Sequence, residues 1–403
     1  MAKRILIYTN HFYPEQFKIN EIVDWLSNEP YHVRVITCIP NYPGGKFYKR
    51  YNVNSLFRKH INDNIIINRL PLIPRGNGNY FIRILSYLSY FISASFFNFY
   101  IIFFKKKYDY VFVHHTSPFL IAIHPIIYGF FHKTTKILWD LDLWPDTLKV
   151  LNIIRSKWVL NTLELSVKFI YSFYDKILIG SKGFEGLLKK RFDGEIIYFP
   201  NWSESVIEDN KNLKAVNLDI PDNHFTIMYT GNIGKAQGFD VLVDVIKQLK
   251  DKNIFWIFIG EGSFKKNLIN DLNNLNLLNK CKFINQIDIV DVPSYSKLAD
   301  AMFFSLKDNY LFSRTVPAKM QSYMALGKPI IALIKGEGAK IIRDSNSGIV
   351  ISNSDTKKIA SSIINFSETK ETELNEMGEN GRKFYLNNFS IRLRKKQLLS
   401  LFK

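Results

Sequence analysis

Short apolar runs alternate with longer amphipathic stretches along almost the whole chain. Ile5–Tyr8, Val33–Thr37, Ile65–Asn68, Tyr110–Val113, Ile137–Trp139, Lys176–Ile179 and Ile196–Phe199 are rich in β-branched and aromatic residues. Runs that are apolar throughout, rather than at every second position, predict parallel strands buried on both faces. Helix-length stretches between them predict a doubly wound α/β sheet. From Ser205 to His224 the chain turns polar and charged, with Pro221 near its end, which predicts a linker. A second series begins at Thr226–Tyr229 and continues through Phe255–Ile259, Cys281–Ile284, Ala301–Ser305, Ile330–Leu333 and Gly348–Ile351. At 403 residues the chain is long for one core. Two α/β domains with a cleft between them are expected. The first covers 1–204 with a terminal helix at 385–403, and the second covers 222–384.

One apolar stretch stands apart. Ile84 to Phe104, "ILSYLSYFISASFFNFYIIFF", contains 21 residues without a charge, with Arg83 before it and Lys105–Lys107 after it. That length reaches the threshold for a spanning helix. Its four serines and one asparagine, and the strand-like "YDYVFVHHT" that follows, suit a buried or interfacial helix instead. Both readings stay open at this point.

The second series carries a glycine-rich turn. The run ending at Tyr229 leads into "GNIGKAQG", Gly231 to Gly238, and then into a helix with Phe239, Leu242, Val243, Ile246 and Leu249 on one face. Such a turn presents bare backbone N–H groups beside a helix N-terminus, which suits phosphate, and Lys235 adds a charge there. An ordinary tight turn is the plain alternative. The spacing is neither that of a P-loop nor that of a dinucleotide fingerprint.

A second cluster lies in "LFSRTVPAKMQSYMALGKPIIAL", Leu311 to Leu333. Pro317 suits the first turn of a helix, Gly327 its C-terminal cap, and Pro329 opens the next strand, so the helix is expected to start near Val316. Arg314 and Lys319 then fall at its N-terminal end, where the macrodipole disfavours cations. An anion between them would explain the pair; two solvated side chains would also serve.

Composition narrows the classes. Hydrophobic residues make up 47% of the chain, as in folded globular proteins. Cys38 and Cys281 lie far apart without metal-ligand spacing, which suits a reducing compartment. Ile5–Tyr8 is too short for a signal-peptide core, so the chain is expected to begin with its first strand in the cytoplasm. The net charge of +18 suits nucleic acid, an anionic membrane surface or an anionic substrate. No nucleic-acid recognition module accompanies it. The 15% aromatic content fits a membrane-facing protein better.

Several motifs occur in a telling order: "NHFYPEQFKINEIVDWL", "ITCIPNYPGGK", "WDLDLWPD", "DKILIGSKGFEGLL", "IIYFPNW", "YTGNIGKAQGFDVL", "IGEGS" and "VPAKMQSYMALGKPII". Together they resemble family 4 glycosyltransferases of the GT-B fold, especially the branch of O-antigen and capsule assembly, over nearly the whole length. The resemblance implies two Rossmann-like domains facing a central cleft. It also implies sugar transfer from a nucleotide donor with retention of configuration, without an essential metal and with no cofactor. The wider family carries an Arg and a Lys in the glycine loop where this chain has Asn232 and Gln237. It also carries two glutamates where this chain has Arg314 and Ser322. The expected diphosphate contacts here are therefore Gly231, Asn232, Gly234, Lys235, Arg314 and Lys319, with Lys235 and Lys319 stabilising the leaving charge.

Further candidates follow from position. Gly260 and Glu261 of "IGEGS" and, by resemblance, Ile287 are expected near the nucleotide. Glu337 is expected near the donor sugar, replacing a lost carboxylate. His11 follows the first strand, at the end where open α/β sheets bind ligands, with Glu15 close by, so both are acceptor-side candidates. Asp140-x-Asp142 imitates a metal-binding pair, yet no further ligand completes a site, and no metal is expected. Asp142 is expected to orient or deprotonate the acceptor, or else to cap the turn before Trp144–Pro145; Asp140 is placed on the acceptor side. His114 and His115 sit at another strand end without a visible partner.

The resemblance implies a saccharide acceptor carried on undecaprenyl diphosphate. It also implies a cytoplasmic protein held peripherally at the inner membrane face, where Arg83, Lys105–Lys107 and the nearby aromatics would anchor it by charge and interfacial burial, or else merely surround a core helix. A UDP-linked N-acetylated hexosamine or 6-deoxyhexosamine is the expected donor, with GDP-linked sugars open. The basic terminal segment "FYLNNFSIRLRKKQLLSLFK" is expected to cross back onto the first domain. The rival readings are a sugar-nucleotide epimerase of the same fold and a basic nucleic-acid-binding protein; the latter would bind DNA or RNA with strong salt dependence.

Overall fold

The computed structural model describes residues 2–51, 59–62, 64–76, 80–211, 213–352 and 355–403. The chain forms two compact units, Met1–Phe199 with Lys395–Lys403, and Pro200–Arg394. Each unit is an α/β layer structure built on one sheet.

In the first unit the strands are β1 (Lys3–Thr9), β2 (Tyr31–Cys38), β3 (Lys59–Asn62), β4 (Ile65–Leu70), β5 (Tyr110–His115), β6 (Thr135–Asp140), β7 (Lys176–Ile179) and β8 (Glu195–Tyr198). Their order is β3-β4-β2-β1-β5-β6-β7-β8. All neighbours are parallel except β3, which pairs antiparallel with β4 at the edge. The seven apolar runs read from the sequence are the seven parallel strands. Strand β3, "KHIN", escapes that reading because an edge strand needs no continuous apolar run. The last residues of the chain pack into this unit: Phe402 is 1% exposed, and its ring meets Tyr31, Tyr110 and Phe112.

In the second unit the strands are β9 (Phe225–Thr230), β10 (Ile254–Ile259), β11 (Cys281–Ile284), β12 (Ala301–Ser305), β13 (Ile330–Leu333) and β14 (Gly348–Val350). All pair in parallel, in the order β11-β10-β9-β12-β13-β14. Counted within the unit, this is the 3-2-1-4-5-6 order of a Rossmann sheet. Helix Phe239–Gln248 packs beneath it, and the five residues expected on one face, Phe239 to Leu249, are all buried. They join Tyr229, Trp256 and Phe258 in one cluster. The polar stretch after Phe199 lies in this unit and includes a short helix, Ser205–Asp209. Glu208 there accepts hydrogen bonds from Tyr385 Oη at 2.7 Å and Ile391 N at 2.9 Å.

This core makes a direct stability test. Leu242 is fully buried against the sheet, so Leu242→Ala leaves a cavity costing roughly 2–5 kcal/mol. Denaturant unfolding of the full chain should show that loss in the midpoint of the second unit's transition.

Candidate functional site

In a sheet of this order the strand connections diverge where the order reverses, and ligands bind outside the carboxyl ends at that point. In the second unit the reversal lies between β9 and β12. The loop after β9 is the glycine-rich turn, and the connection after β12 leads to helix Ala318–Leu326.

Two glycine loops are stitched together there by main-chain bonds. Gly231 N donates to Ile259 O at 2.8 Å, Ile233 N to Glu261 O at 2.8 Å, and Phe264 N to Ile233 O at 2.9 Å. A side chain at Gly260 could not be accommodated: its φ is +140° and a Cβ would lie 2.1 Å from Gly231 O. Tyr229 Oη donates to Asn232 O at 2.5 Å, and Gly234 N donates to Gln237 Oε1 at 3.0 Å. Gln237, which replaces a family cation, thus braces the turn. Lys235 is exposed at the start of the short turn Lys235–Gln237.

Lys319 lies over this loop. A Cβ on Gly231 would approach Lys319 Cε at 2.9 Å and Nζ at 3.3 Å, so the bare glycine makes room for the lysine. The ammonium sits 5.1 Å from the centre of the Tyr229 ring. Lys319 is the second residue of helix Ala318–Leu326, and no acidic side chain among the described residues pairs with it. Burial lowers its pKa from 10.5 to about 8. A partly buried cation at the positive end of a helix is unfavourable alone and favourable beside an anion.

Two expectations for this region change. The helix begins at Ala318 rather than near Val316, because Pro317 is extended (φ −67°, ψ 132°) and serves as the N-cap. Arg314 stands in a separate turn, Phe312–Arg314, with its guanidinium 4.0 Å from the Tyr310 ring centre and donating to Tyr310 O at 2.7 Å. The structure therefore seats Lys319 over Gly231, while the Arg314 guanidinium lies over the Tyr310 ring. Tyr323, one turn after Lys319, was not singled out; its hydroxyl receives Thr230 N at 3.0 Å and fixes the strand end before Gly231.

The remaining candidates surround this point or stand aside from it. Glu261 is exposed and pairs with Lys265 at 2.7 Å. Ile287 is half-buried after β11. Glu337 occupies the first turn of helix Glu337–Ser345, whose start lies against the 313–317 segment: a Cβ on Gly338 would meet Pro317 Cδ at 3.0 Å. A second helix N-terminus thus adjoins the one carrying Lys319.

The first unit has its own reversal, between β1 and β5, and polar side chains gather there. His11 Nδ1 lies 2.6 Å from Glu15 Oε2, while Glu15 Oε1 accepts from Asn41 N and Tyr42 N, both at 2.7 Å. The imidazole stacks on Phe17 at 4.3 Å. Glu15 is thus an anchored carboxylate that orients His11. His114 Nδ1 meets Thr9 Oγ1 at 2.9 Å, and burial pushes its pKa down to about 3, which keeps it neutral. His115 Nδ1 contacts Asp140 Oδ1 at 2.7 Å, and the Tyr171 hydroxyl donates to Asp140 Oδ2. With 1% exposure and both oxygens engaged, Asp140 orients His115 and does not itself face an acceptor. Asp142 Oδ2 accepts from Ser117 N at 2.9 Å and Ser117 Oγ at 2.8 Å, and Trp144 Nε1 donates to the same hydroxyl at 2.9 Å. Its carboxylate clamps the loop after β5. Among the described residues, no three His, Cys, Asp or Glu side chains converge as metal ligands would.

Fold and site define a class. Two Rossmann-like units with an anion-ready glycine turn in the second are the build of GT-B glycosyltransferases, and residues 210–384 match the family described as "Glycosyl transferases group 1". That match lies within the second unit, Pro200–Arg394. It is 23% identical to the glycosyl transferase WcaI of Escherichia coli K12, named for colanic acid biosynthesis, over 80% of this chain and 81% of that one. Sucrose-phosphate synthase from Thermosynechococcus elongatus superposes with a TM-score of 0.73 at 15% identity, covering 100% and 98% of the two chains. Anabaena HepE, solved with UDP and glucose, superposes with a TM-score of 0.65 at 15% identity, covering 99% of each.

The lysine gives a signed pH prediction. Because burial lowers the Lys319 pKa to about 8, its protonation opposes folding below that pH, and this cost fades as pH rises towards 10.5. Anion binding needs the ammonium, so the two effects run in opposite directions. UDP affinity measured calorimetrically should be flat from about pH 7 to about pH 8 and then fall by up to about tenfold per unit. Lys319→Met should bind UDP roughly ten- to hundredfold more weakly and lose that inflection.

Proposed function

We propose that the chain is a retaining glycosyltransferase that moves a sugar from a nucleoside diphosphate donor to a saccharide carried on undecaprenyl diphosphate. The observation that carries this reading is Lys319, partly buried and without an acidic partner, at a helix N-terminus over Gly231. Departure of a nucleoside diphosphate develops negative charge on the leaving oxygen. A fixed ammonium and two adjacent helix N-termini stabilise that charge, with no reorganisation needed during the reaction. Lys235, Arg314 and the backbone of Gly231, Asn232 and Gly234 are the further diphosphate groups of the proposal. Gly260, Glu261 and Ile287 serve the nucleotide, and Glu337 the sugar. No metal and no separate cofactor takes part.

UDP is the proposed nucleotide, carrying an N-acetylated hexosamine or deoxyhexosamine; the UDP and glucose bound to Anabaena HepE support the choice. On the acceptor side, the anchored Glu15 holds His11 in one orientation, and Asp142 holds the adjoining loop. The pathway is O-antigen or capsule assembly, a reading supported by the relative named for colanic acid biosynthesis. The work takes place on the anionic cytoplasmic face of the membrane.

The test is product analysis with labelled UDP-N-acetylhexosamine and a short-chain diphosphate-linked saccharide. A lipid-linked product with the donor's anomeric configuration, formed equally in EDTA, is expected. Lys319→Met should slow turnover by roughly a hundredfold or more. Conversion of the donor to an epimer without acceptor would make the chain an epimerase, and an inverted linkage would remove the retaining mechanism.

A further inference from the structure

The helix Tyr80–Phe104 is built inside out. Its inward side carries polar groups: Asn98, fully buried, accepts from Tyr8 Oη at 2.6 Å and donates to His124 O at 3.0 Å. Tyr90, 5% exposed, donates to Thr9 O at 3.2 Å. Its outward side carries Phe81, Ile84, Leu88, Ile92, Phe96 and Phe103, each between 42% and 75% exposed. Their steps of three and four residues, with Phe99 (43% exposed) between Phe96 and Phe103, draw one stripe along the helix. A soluble protein ordinarily arranges these sides the other way round.

The stripe does not end with that helix. The rings of Phe103 and Phe131 lie 5.6 Å apart, joining it to helix His124–Phe131. Phe130 meets Phe173 at 5.8 Å, and Phe173 meets Phe169 at 5.0 Å, reaching helix Lys157–Tyr171. On that helix Trp158, Leu165 and Phe169 are 76%, 69% and 66% exposed. Three helices thus share a continuous apolar outer layer, larger than the scattered exposure a soluble surface shows. Its margin is basic: Lys105–Lys107 follow the first helix and Lys133 the second, while Arg155 and Lys157 adjoin the start of the third. Residues 64–108 and 110–139 contain no Asp or Glu.

We infer that this layer inserts its aromatic side chains into an anionic phospholipid leaflet, with the helices lying flat and the lysines among the headgroups. The inference rests on the membrane-surface reading above and assigns its apolar part to the joined outer faces of these three helices. A helix spanning the bilayer would have to leave the unit and expose Asn98 and Tyr90 to lipid, which their buried bonds oppose.

Sedimentation of the full chain with phosphatidylglycerol-containing and pure phosphatidylcholine vesicles tests this, at low salt and at about 1 M salt, where screening acts within about 3 Å. Binding to the anionic vesicles, partly retained in high salt, is expected, with a blue shift of tryptophan emission that Trp158→Phe removes. The double variant Phe96→Ser, Phe169→Ser should bind at least tenfold more weakly with an unchanged melting temperature, since both side chains are exposed. Binding that vanishes in high salt and ignores the double variant would overturn insertion while leaving surface attraction intact. No binding to either vesicle would overturn both membrane readings. A dimer split by the double variant would give the layer to a second copy and overturn insertion. UDP-induced stabilisation, measured alongside, reports separately on the donor site.

Discussion

A cation that lacks an anion is the constraint around which the second unit is arranged. Lys319 is held at the positive end of its helix, against the Tyr229 ring and over a residue with no side chain. Each neighbour explains part of that placement. Gly231 gives the space, Tyr323 fixes the strand end beneath it, and the second glycine loop locks the turn from behind. None supplies a negative charge. Unless an anion arrives, the arrangement costs stability, and functional sites are where such costs are retained.

That placement is also what the sheet topology makes available. The order β10-β9-β12 sends successive connections to opposite sides, opening a crevice at the carboxyl end of β9. The first unit repeats the device between β1 and β5 and fills it differently. There the groups are imidazoles and carboxylates paired with one another, His11 with Glu15 and His115 with Asp140, rather than a lone cation. One unit is prepared for an anion; in the other the charged and titratable groups are paired with one another.

Much of this was legible in the sequence, for physical reasons. Parallel strands buried on both faces must be apolar throughout, so thirteen runs predicted thirteen strands; the edge strand β3 lies outside that rule. The glycine loop announced itself because its positions need glycine: at Gly231, with φ +115°, a Cβ would lie 2.9 Å from Lys319 Cε. The start of the Lys319 helix was misplaced by two residues, because proline serves equally as N-cap and first-turn residue, and the sequence does not separate the two. Arg314 and Lys319 looked equivalent by spacing, and only the turn before Pro317 sends Arg314 to Tyr310 instead. The apolar stretch 84–104 offered burial or spanning. The structure has one face in and one face out, a choice hidden because the inward face is the polar one, held by bonds to Tyr8 and His124 from distant parts of the chain.

The most direct test of the central claim is thermal unfolding of the purified chain titrated with UDP, GDP, ADP, dTDP and CMP, with and without EDTA. A ligand of the native state raises the melting temperature by mass action. The account predicts stabilisation by UDP above the others, unchanged by EDTA and absent in Lys319→Met. No shift with any nucleotide would reduce the glycine loop to a tight turn and Lys319 to an unexplained buried cation, and would contradict the account.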